Sequence, residues 1–413
     1  RKGMDAHRKW GIIRISDLNE TLILLVYFIL ALEYDLYNHF GLGNIISSTL
    51  LTFVEIAILI FVILTTRRKM MSHYIMYGFL FLGIIWTYFT APECRRIMTE
   101  LFFEGSSVKK VFILPLALHC IKRPKDFSNK FYCLSVVEGY IHILCNMLWG
   151  YGYNEWGVFY YMTYGMALLT PTCFVMQRTF SKPTKLNIIT LIIFELNIIV
   201  YGHRGALLVT AVMMMLFFIK YVNVRKKLVI GLVGIFVFFV LYLFGGQLIQ
   251  FVIGIMNNMG LESRTLEKLL SGGIADDSER YMIWGIMIAN IMKLFPFGAG
   301  IGSDRIVLGS AMRRGLYAHN FIFELCLDYG LIIGIIIVGG VVWICYRTLT
   351  KINDESWAHL IQPILIPSVI TLLTSASIYQ YWLFWFSLGL YYNYFDRRRG
   401  QYMMTERKGR SAG

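Results

Sequence analysis

Two motifs within residues 276–335 contain residue types that could do chemistry. Residues 296–305, PFGAGIGSDR, place three glycines two positions apart behind a proline and end at Arg305, which favours an irregular backbone that a ligand can approach closely. Residues 317–320, Tyr-Ala-His-Asn, put His319 directly before an apolar run. A neutral imidazole accepts protons near neutral pH. The pattern therefore predicts a general base at a loop-to-helix junction, the alternative being an interfacial histidine that bonds to backbone.

Three arginines could bind an anion beside this histidine. Arg204 directly precedes the apolar run 205–221, and a cation at a helix N-terminus opposes the helix dipole unless an anion is also bound there. Backbone N–H groups and a guanidinium fork together favour phosphate; the alternative is that Arg204 lies at the interface or pairs with an acid such as Glu195. Arg305 is the best further candidate in the outer loop. Arg280 begins a run in which apolar residues recur at helical spacing, namely Trp284, Met287, Ile288 and Ile291.

The composition indicates what surrounds these motifs. Of 413 residues, 57% are hydrophobic and 15% are charged, and the mean hydropathy is +0.59, which is outside the range of soluble proteins. The sequence therefore predicts an all-α, polytopic membrane protein with about twelve transmembrane helices. The weakest candidate for a transmembrane helix is 108–121. The candidate spans are 20–38, 43–65, 73–91, 108–121, 131–150, 157–176, 186–200, 205–221, 228–245, 330–347, 359–375 and 379–395.

The distribution of Lys and Arg predicts the orientation of the chain. With a cytoplasmic N-terminus, most of the 39 Lys and Arg fall on the cytoplasmic side, and so do both termini; Lys109 and Lys110 fall on the outer side. The net charge of +14 then reflects topology and anionic inner-leaflet lipid, and nucleic-acid binding is not expected. The predicted domains are 1–245 with transmembrane helices 1–9, 246–329 as an extracytoplasmic catalytic loop with short amphipathic helices, and 330–413 with helices 10–12 and a basic cytoplasmic tail.

These motifs resemble the superfamily of O-antigen ligases and Wzy-type O-antigen (polysaccharide) polymerases. The resemblance rests on YGHRGALL, on the spacing from Arg280 to Trp284, on PFGAGIGSDR and on YAHNFIFELCLDYGLIIG. It covers roughly residues 201–335, while the other helices match only in number and hydropathy. The resemblance implies an inverting, metal-independent, membrane-embedded glycosyltransferase of the GT-C type. Its reaction would polymerise undecaprenyl-pyrophosphate-linked oligosaccharide repeat units into O-antigen or a similar surface polysaccharide.

The resemblance also implies roles for residues and identifies partners. The pyrophosphate-binding arginines of the family fall on Arg204 and Arg280, and its catalytic histidine falls on His319. Donor and acceptor would both be undecaprenyl-pyrophosphate-linked glycans in membrane lipid, a chain-length regulator protein is a candidate partner, and no metal or other cofactor is expected. The implied location is the bacterial cytoplasmic (inner) membrane with a periplasmic active site. The residues added for their own chemistry are Arg305 for pyrophosphate and, in support, Asn320 and Tyr317.

Acidic residues leave other interpretations open. Asp276, Asp277 and Glu279 could hold a metal ion or act as bases, but a solvated loop is the expected role, since no D-x-D pattern accompanies them. Acids inside membrane spans are costly and often functional. Three such acids could line a groove, form ion pairs or carry protons: Glu55, Glu138 and Glu195. A proton path would favour a flippase or exporter of lipid-linked glycan, and a ligase that transfers polymer to lipid A core is the nearer alternative.

Overall fold

A computed structural model describes residues 15–66, 71–103, 107–149, 162–201, 204–223, 246–247, 249–258, 266–267, 270–271, 279–312 and 315–411. Within these ranges every regular element is a helix. The α-helices are α1 Ile15–Ala31, α2 Glu33–Asn38, α3 Ser48–Thr66, α4 Met71–Thr90, α5 Arg95–Phe103, α6 Leu114–Ala117, α7 Pro124–Trp149, α8 Met162–Ser181, α9 Lys185–Tyr201, α10 Arg204–Tyr221, α11 Arg280–Leu294, α12 Ser303–Ala311, α13 Phe321–Tyr329, α14 Leu331–Thr350, α15 Glu355–Thr374 and α16 Trp382–Ser411.

Five of the described helices are long and apolar enough to cross a membrane: α3, α7, α10, α14 and α15. Helix α15 is buried almost throughout and packs against α7, α8, α10, α14 and α16. Helices α3 and α14 instead expose most of their apolar side chains, as expected where lipid rather than protein covers a helix. The protein is therefore a helical membrane protein built around α15, and the full number of twelve spans stays a prediction.

The weakest expected span has an interrupted structure. Residues 108–121 contain a π-helix at Lys109–Ile113, the short α6 and a 3₁₀-helix at Leu118–Cys120. Pro115 lies at the start of α6, where a missing N–H is tolerated. The expected span 20–38 is also divided, because α1 ends at Ala31 and α2 begins at Glu33. The expected span 228–245 lies outside the described residues.

Two charged residues meet inside the bundle. Lys109 forms an ion pair with Glu55 and a hydrogen bond to Thr52 Oγ1, at 3.2 Å from its Nζ. Both charged side chains are almost completely buried, with 0% and 1% of the surface exposed. Lys109 is thus a buried counter-ion rather than the outer-surface charge that the sequence led us to expect. Its partner Glu55 takes the ion-pair role that was one of three open alternatives for the buried acids.

Helices α11, α12 and α13 form a small packed unit within the predicted outer loop. Ile283, Met287 and Ile291 of α11 are buried against Leu308 of α12 and Leu327 of α13. Of the positions expected after Arg280, Met287 and Ile291 are buried as predicted, whereas Ile288 is exposed. Ile283, rather than the partly buried Trp284, completes the buried face one turn earlier. This packing fixes the start of α11 relative to α13.

Candidate functional site

The glycine-rich loop closes the C-terminal end of α13. Ala299 N donates to Leu327 O at 2.8 Å, Gly300 N donates to Asp328 O at 3.1 Å, and Ile301 N donates to Thr87 Oγ1 of α4 at 2.8 Å. The last carbonyls of a helix have no partner inside the helix, so this loop supplies their donors. Residues 296–302 are irregular, as predicted, but Ser303, Asp304 and Arg305 of the same motif are already helical in α12.

Two glycines allow the close approach of this loop to the end of α13. A Cβ on Gly298 would lie 2.2 Å from Asp328 O, and a Cβ on Gly330 would lie 2.2 Å from Pro296 O. Gly330 also has φ 85° and ψ 157°, a conformation that is almost restricted to glycine. Glycine at both positions therefore sets the break between α13 and α14, and with it the direction in which α13 presents its side chains.

His319 lies at the N-terminal end of α13, where the sequence predicted it. The helix is capped by Asn320, whose Oδ1 accepts from Ile322 N at 2.9 Å and whose Nδ2 donates to Leu373 O at 3.2 Å. Tyr317 packs on the imidazole with ring centroids 3.9 Å apart, and its hydroxyl donates to Ser375 O at 2.6 Å. Asn320 and Tyr317 thus hold the imidazole against the end of α15.

Backbone strain within the described residues is confined to the candidate site. Positive φ occurs there at only two non-glycine residues, Glu279 at 70° and His319 at 52°. One is the candidate base and the other directly precedes Arg280. Such conformations cost free energy and concentrate at functional sites. The Nδ1 atom of His319 is also buried without a hydrogen-bond partner among the described residues, which is uncommon for a ring nitrogen.

The electrostatic surroundings keep His319 neutral. Burial lowers the pKa of the imidazole below its usual value; a backbone hydrogen bond at Ser375 opposes this shift. The charges of Arg280 and Arg305 lower the pKa further, while Asp304 raises it. The net direction is downward. A neutral imidazole can accept a proton at pH 7, as a general base must, so the charge state fits the predicted role.

Arg305 is bound by acidic partners. Its Nη1 lies 2.8 Å from Asp304 Oδ1 and 3.4 Å from Glu324 Oε1, and its Nη2 donates to Ser377 Oγ at 3.1 Å. Its side chain is 15% exposed, whereas both carboxylates are at most 1% exposed. Asp304 Oδ2 also accepts from Ala318 N at 3.0 Å. Arg305 and Asp304 therefore connect α12 to the backbone just before His319.

Two buried acids on α13 were not identified from the sequence. Glu324 accepts from Ser377 Oγ at 2.6 Å and from Ile378 N at 3.0 Å. Asp328 accepts from Tyr379 OH at 2.7 Å and from Ser303 Oγ at 2.9 Å. Burial raises the pKa of Glu324 to about 7 and raises that of Asp328 well above its usual range, with the Asp304 charge acting in the same direction. Glu324 lies four residues after Asn320 and Asp328 four residues after Glu324; this spacing in an otherwise apolar helix was the available signal.

The other residues that the sequence predicted for the site are two arginines and three acids, and the structure describes only some of them. Arg280 begins α11 and is half-buried, and its charge lowers the pKa of His319; its binding of pyrophosphate stays a prediction. Arg204 begins α10, which packs against α8, α9 and α15; its participation stays a prediction. Glu279 precedes α11, and the acids Asp276 and Asp277 lie outside the described residues.

The loop between α15 and α16 connects this site to a cavity of about 450 Å³. Residues 375–379 carry the contacts to Tyr317, Arg305 and α13 described above, and Tyr381 and Trp382 line the cavity. The acids Glu33 and Glu138 also line it. Glu138 is buried 3.9 Å from His142 Nε2, and His142 Nδ1 lies 2.6 Å from Asp35 Oδ2. Aromatic rings and carboxylates together suit a polyhydroxylated ligand.

The fold and the site together define a helical membrane protein in which a histidine with positive φ and Arg305 lie beside a set of buried acids, with Arg280 at the start of the helix that packs on α13. Comparison of the chain with protein-family models and with curated proteins finds no match.

Proposed function

We propose that this protein is a membrane glycosyltransferase that joins undecaprenyl-pyrophosphate-linked oligosaccharide repeat units into a surface polysaccharide. The observation that carries the proposal is the position of His319: a neutral imidazole, held at a strained junction, in the field of Arg280 and Arg305. The sequence resemblance to O-antigen polymerases supports the same reaction. The ligase that transfers polymer to lipid A core uses the same chemistry on a different acceptor.

The proposed reaction needs one proton acceptor and one anion site. The C1–O bond between the donor sugar and pyrophosphate breaks, and the pyrophosphate keeps the electron pair. The acceptor hydroxyl forms the new bond to C1, and its proton passes to His319. Arg280, together with Arg204, would stabilise the charge that develops on the leaving pyrophosphate. Donor and acceptor held at one site add the contribution of proximity.

We propose a positioning role for Arg305. The sequence made it a candidate pyrophosphate ligand, but its guanidinium already contacts Asp304, Glu324 and Ser377. An incoming pyrophosphate would have to compete with two buried carboxylates for the same N–H groups. Arg305 instead holds the Asp304 carboxylate, which accepts a hydrogen bond from Ala318 N. It thereby fixes the backbone of the residue before His319.

The test is polymerisation by purified protein in proteoliposomes that contain a lipid-linked repeat unit. We expect wild-type protein to produce a ladder of longer glycans, with and without EDTA. His319→Ala and Arg280→Gln should each lower the rate by about 10²–10⁴-fold, the range for a lost general base or a lost charge contact. Arg96→Gln is the matched control, since Arg96 is 90% exposed and pairs with Glu100 on the surface.

The outcomes distinguish catalysis from transport. A flippase would move the lipid-linked unit across the bilayer without lengthening it, so translocation without a ladder would refute the proposed reaction. A ladder that persists in His319→Ala would refute the role of the histidine. Both variants should keep the wild-type elution profile in detergent, which separates a catalytic loss from misfolding.

A further inference from the structure

A second cavity, of about 730 Å³, lies between the C-terminal part of α14 and the adjoining part of α16. Four cationic side chains line it: Arg347, Lys351, Arg398 and Arg399. None of them forms an ion pair with a carboxylate within the part of the chain that the structure describes. The predicted topology places this end of both helices at the cytoplasmic membrane surface. The cavity thus concentrates positive charge where anionic headgroups occur.

On each of the two helices, an aromatic side chain lies four residues before one of these cations. Trp343 precedes Arg347 by four residues on α14, and Phe395 precedes Arg399 by four residues on α16. The Arg347 guanidinium lies 4.7 Å from the centre of the Trp343 ring and 5.4 Å from that of Phe395. These contacts hold the guanidinium by cation–π attraction without neutralising it. A positive charge is therefore fixed between two rings at the edge of the cavity.

The two residues that precede Arg398 in the sequence form contacts with other parts of the chain. Asp396 lies 3.1 Å from His119, and Arg397 Nη1 donates to Lys122 O at 3.0 Å. These two residues attach α16 to the segment before α7. Arg398 and Arg399, by contrast, are exposed and line the cavity. The C-terminal end of a helix disfavours anions, so affinity for one would come from the side chains.

We propose that this cavity binds the headgroup of an anionic phospholipid. The shared chemistry is a phosphate group, but the surface that leads into the cavity favours a lipid over free phosphate. Helix α14 exposes Ile332, Ile336 and Val342 along its length, and Trp343 and Tyr346 continue that surface to the cavity at 53% and 56% exposure. An acyl chain can lie along this apolar face while the phosphate reaches Arg347 and Arg399. Free phosphate would gain nothing from it.

Native mass spectrometry of the full-length protein tests the proposal. The probes are dioleoyl phosphatidylglycerol, dioleoyl phosphatidylcholine and inorganic pyrophosphate, each titrated separately. We expect phosphatidylglycerol to bind more tightly than phosphatidylcholine. Arg347→Gln/Arg399→Gln should weaken phosphatidylglycerol binding about 30-fold, from the usual contribution of two cations near an anionic headgroup. If this variant misfolds, Arg398→Gln/Arg399→Gln replaces it, because both side chains are exposed.

The matched control is Lys125→Gln/Lys130→Gln. These lysines are exposed on α7, on the same predicted side of the membrane, and their replacement removes the same charge. Equal weakening by the control variant would assign the effect to general surface charge and overturn the proposal. Equal binding of the two lipids would overturn it as well. Pyrophosphate that binds wild-type protein more tightly than phosphatidylglycerol, and loses this binding in Arg347→Gln/Arg399→Gln, would show a free-phosphate site instead.

Discussion

Replacing Arg305 by glutamine tests whether the buried charges position the histidine. The side chain neutralises Asp304 and Glu324, which are 0% and 1% exposed. Removal of one partner from a buried ion pair costs about 3–5 kcal/mol, because the remaining charge is left uncompensated. We therefore expect Arg305→Gln to lower the free energy of unfolding by an amount in this range, measured in mixed micelles by tryptophan fluorescence.

The loss should depend on pH in a defined direction. The pKa of Glu324 is already raised to about 7 by burial, and Arg305 is one of the groups that lower it. Without Arg305 the pKa of Glu324 in the folded protein rises further, so its carboxyl group is protonated at pH 6. In the unfolded chain the same group is ionised, so keeping it protonated in the folded protein costs more free energy as the pH rises. The destabilisation should thus be smaller at pH 6 than at pH 8.

Two further variants separate charge from shape. Arg305→Gln/Asp304→Asn replaces the ion pair by two amides, and the new amide oxygen at position 304 can still accept from Ala318 N; this double variant should recover most of the lost stability. Arg305→Lys keeps the charge but loses the fork, and it should cost less than the glutamine variant. Wild-type stability in Arg305→Gln at pH 8, or no recovery in the double variant, would refute the positioning role of this pair.

Three other predictions concern the histidine, a glycine and the buried ion pair. The polymerisation rate should be constant above about pH 6.5, the ordinary pKa of histidine, and should fall at lower pH as His319 becomes protonated. Arg280→Gln should move this fall in rate to higher pH, because a charge that lowers the pKa of His319 is lost. An unchanged pH profile in this variant would contradict the coupling of Arg280 to His319. Gly330→Ala should destabilise the protein by about 1–3 kcal/mol or more, whereas Gly339→Ala, in open space on α14, should be neutral or stabilising; equal thermal stability of the two variants would contradict the close approach at Gly330. Lys109→Met should cost about 3–5 kcal/mol, much of it recovered by adding Glu55→Gln; a fully stable single variant would contradict the buried pair.

The glycine loop and the helix after Arg280 were predictable because they depend on local rules. Proline and spaced glycines indicate irregular backbone, and apolar residues at helical spacing indicate a buried face. The start of α12 at Ser303 was not predictable in the same way. It depends on the close approach of residues 300–302 to Thr87, Ala91 and Ile97, which lie about 200 residues earlier in the chain and which no local pattern contains.

The acids of the site could not be assigned from the sequence for a related reason. Glu324 and Asp328 are bound by Ser377, Ile378 and Tyr379, about 50 residues away. Sequence spacing places both acids on one face of α13 but does not say what lies opposite. The pairing of Lys109 with Glu55 depends on the same kind of information, since a lysine near the end of an apolar run is otherwise expected at the surface.

Release of undecaprenyl pyrophosphate during glycan extension is the most direct measurement of the proposed reaction. Purified protein in proteoliposomes with a lipid-linked repeat unit should release one undecaprenyl pyrophosphate for each glycosidic bond formed. His319→Ala and Arg280→Gln should slow the formation of both products by the same factor, while Arg96→Gln keeps the wild-type rate. Glycan extension that continues in His319→Ala, or movement of the lipid across the bilayer with no release from wild-type protein, would contradict a polymerase that uses this histidine and this arginine.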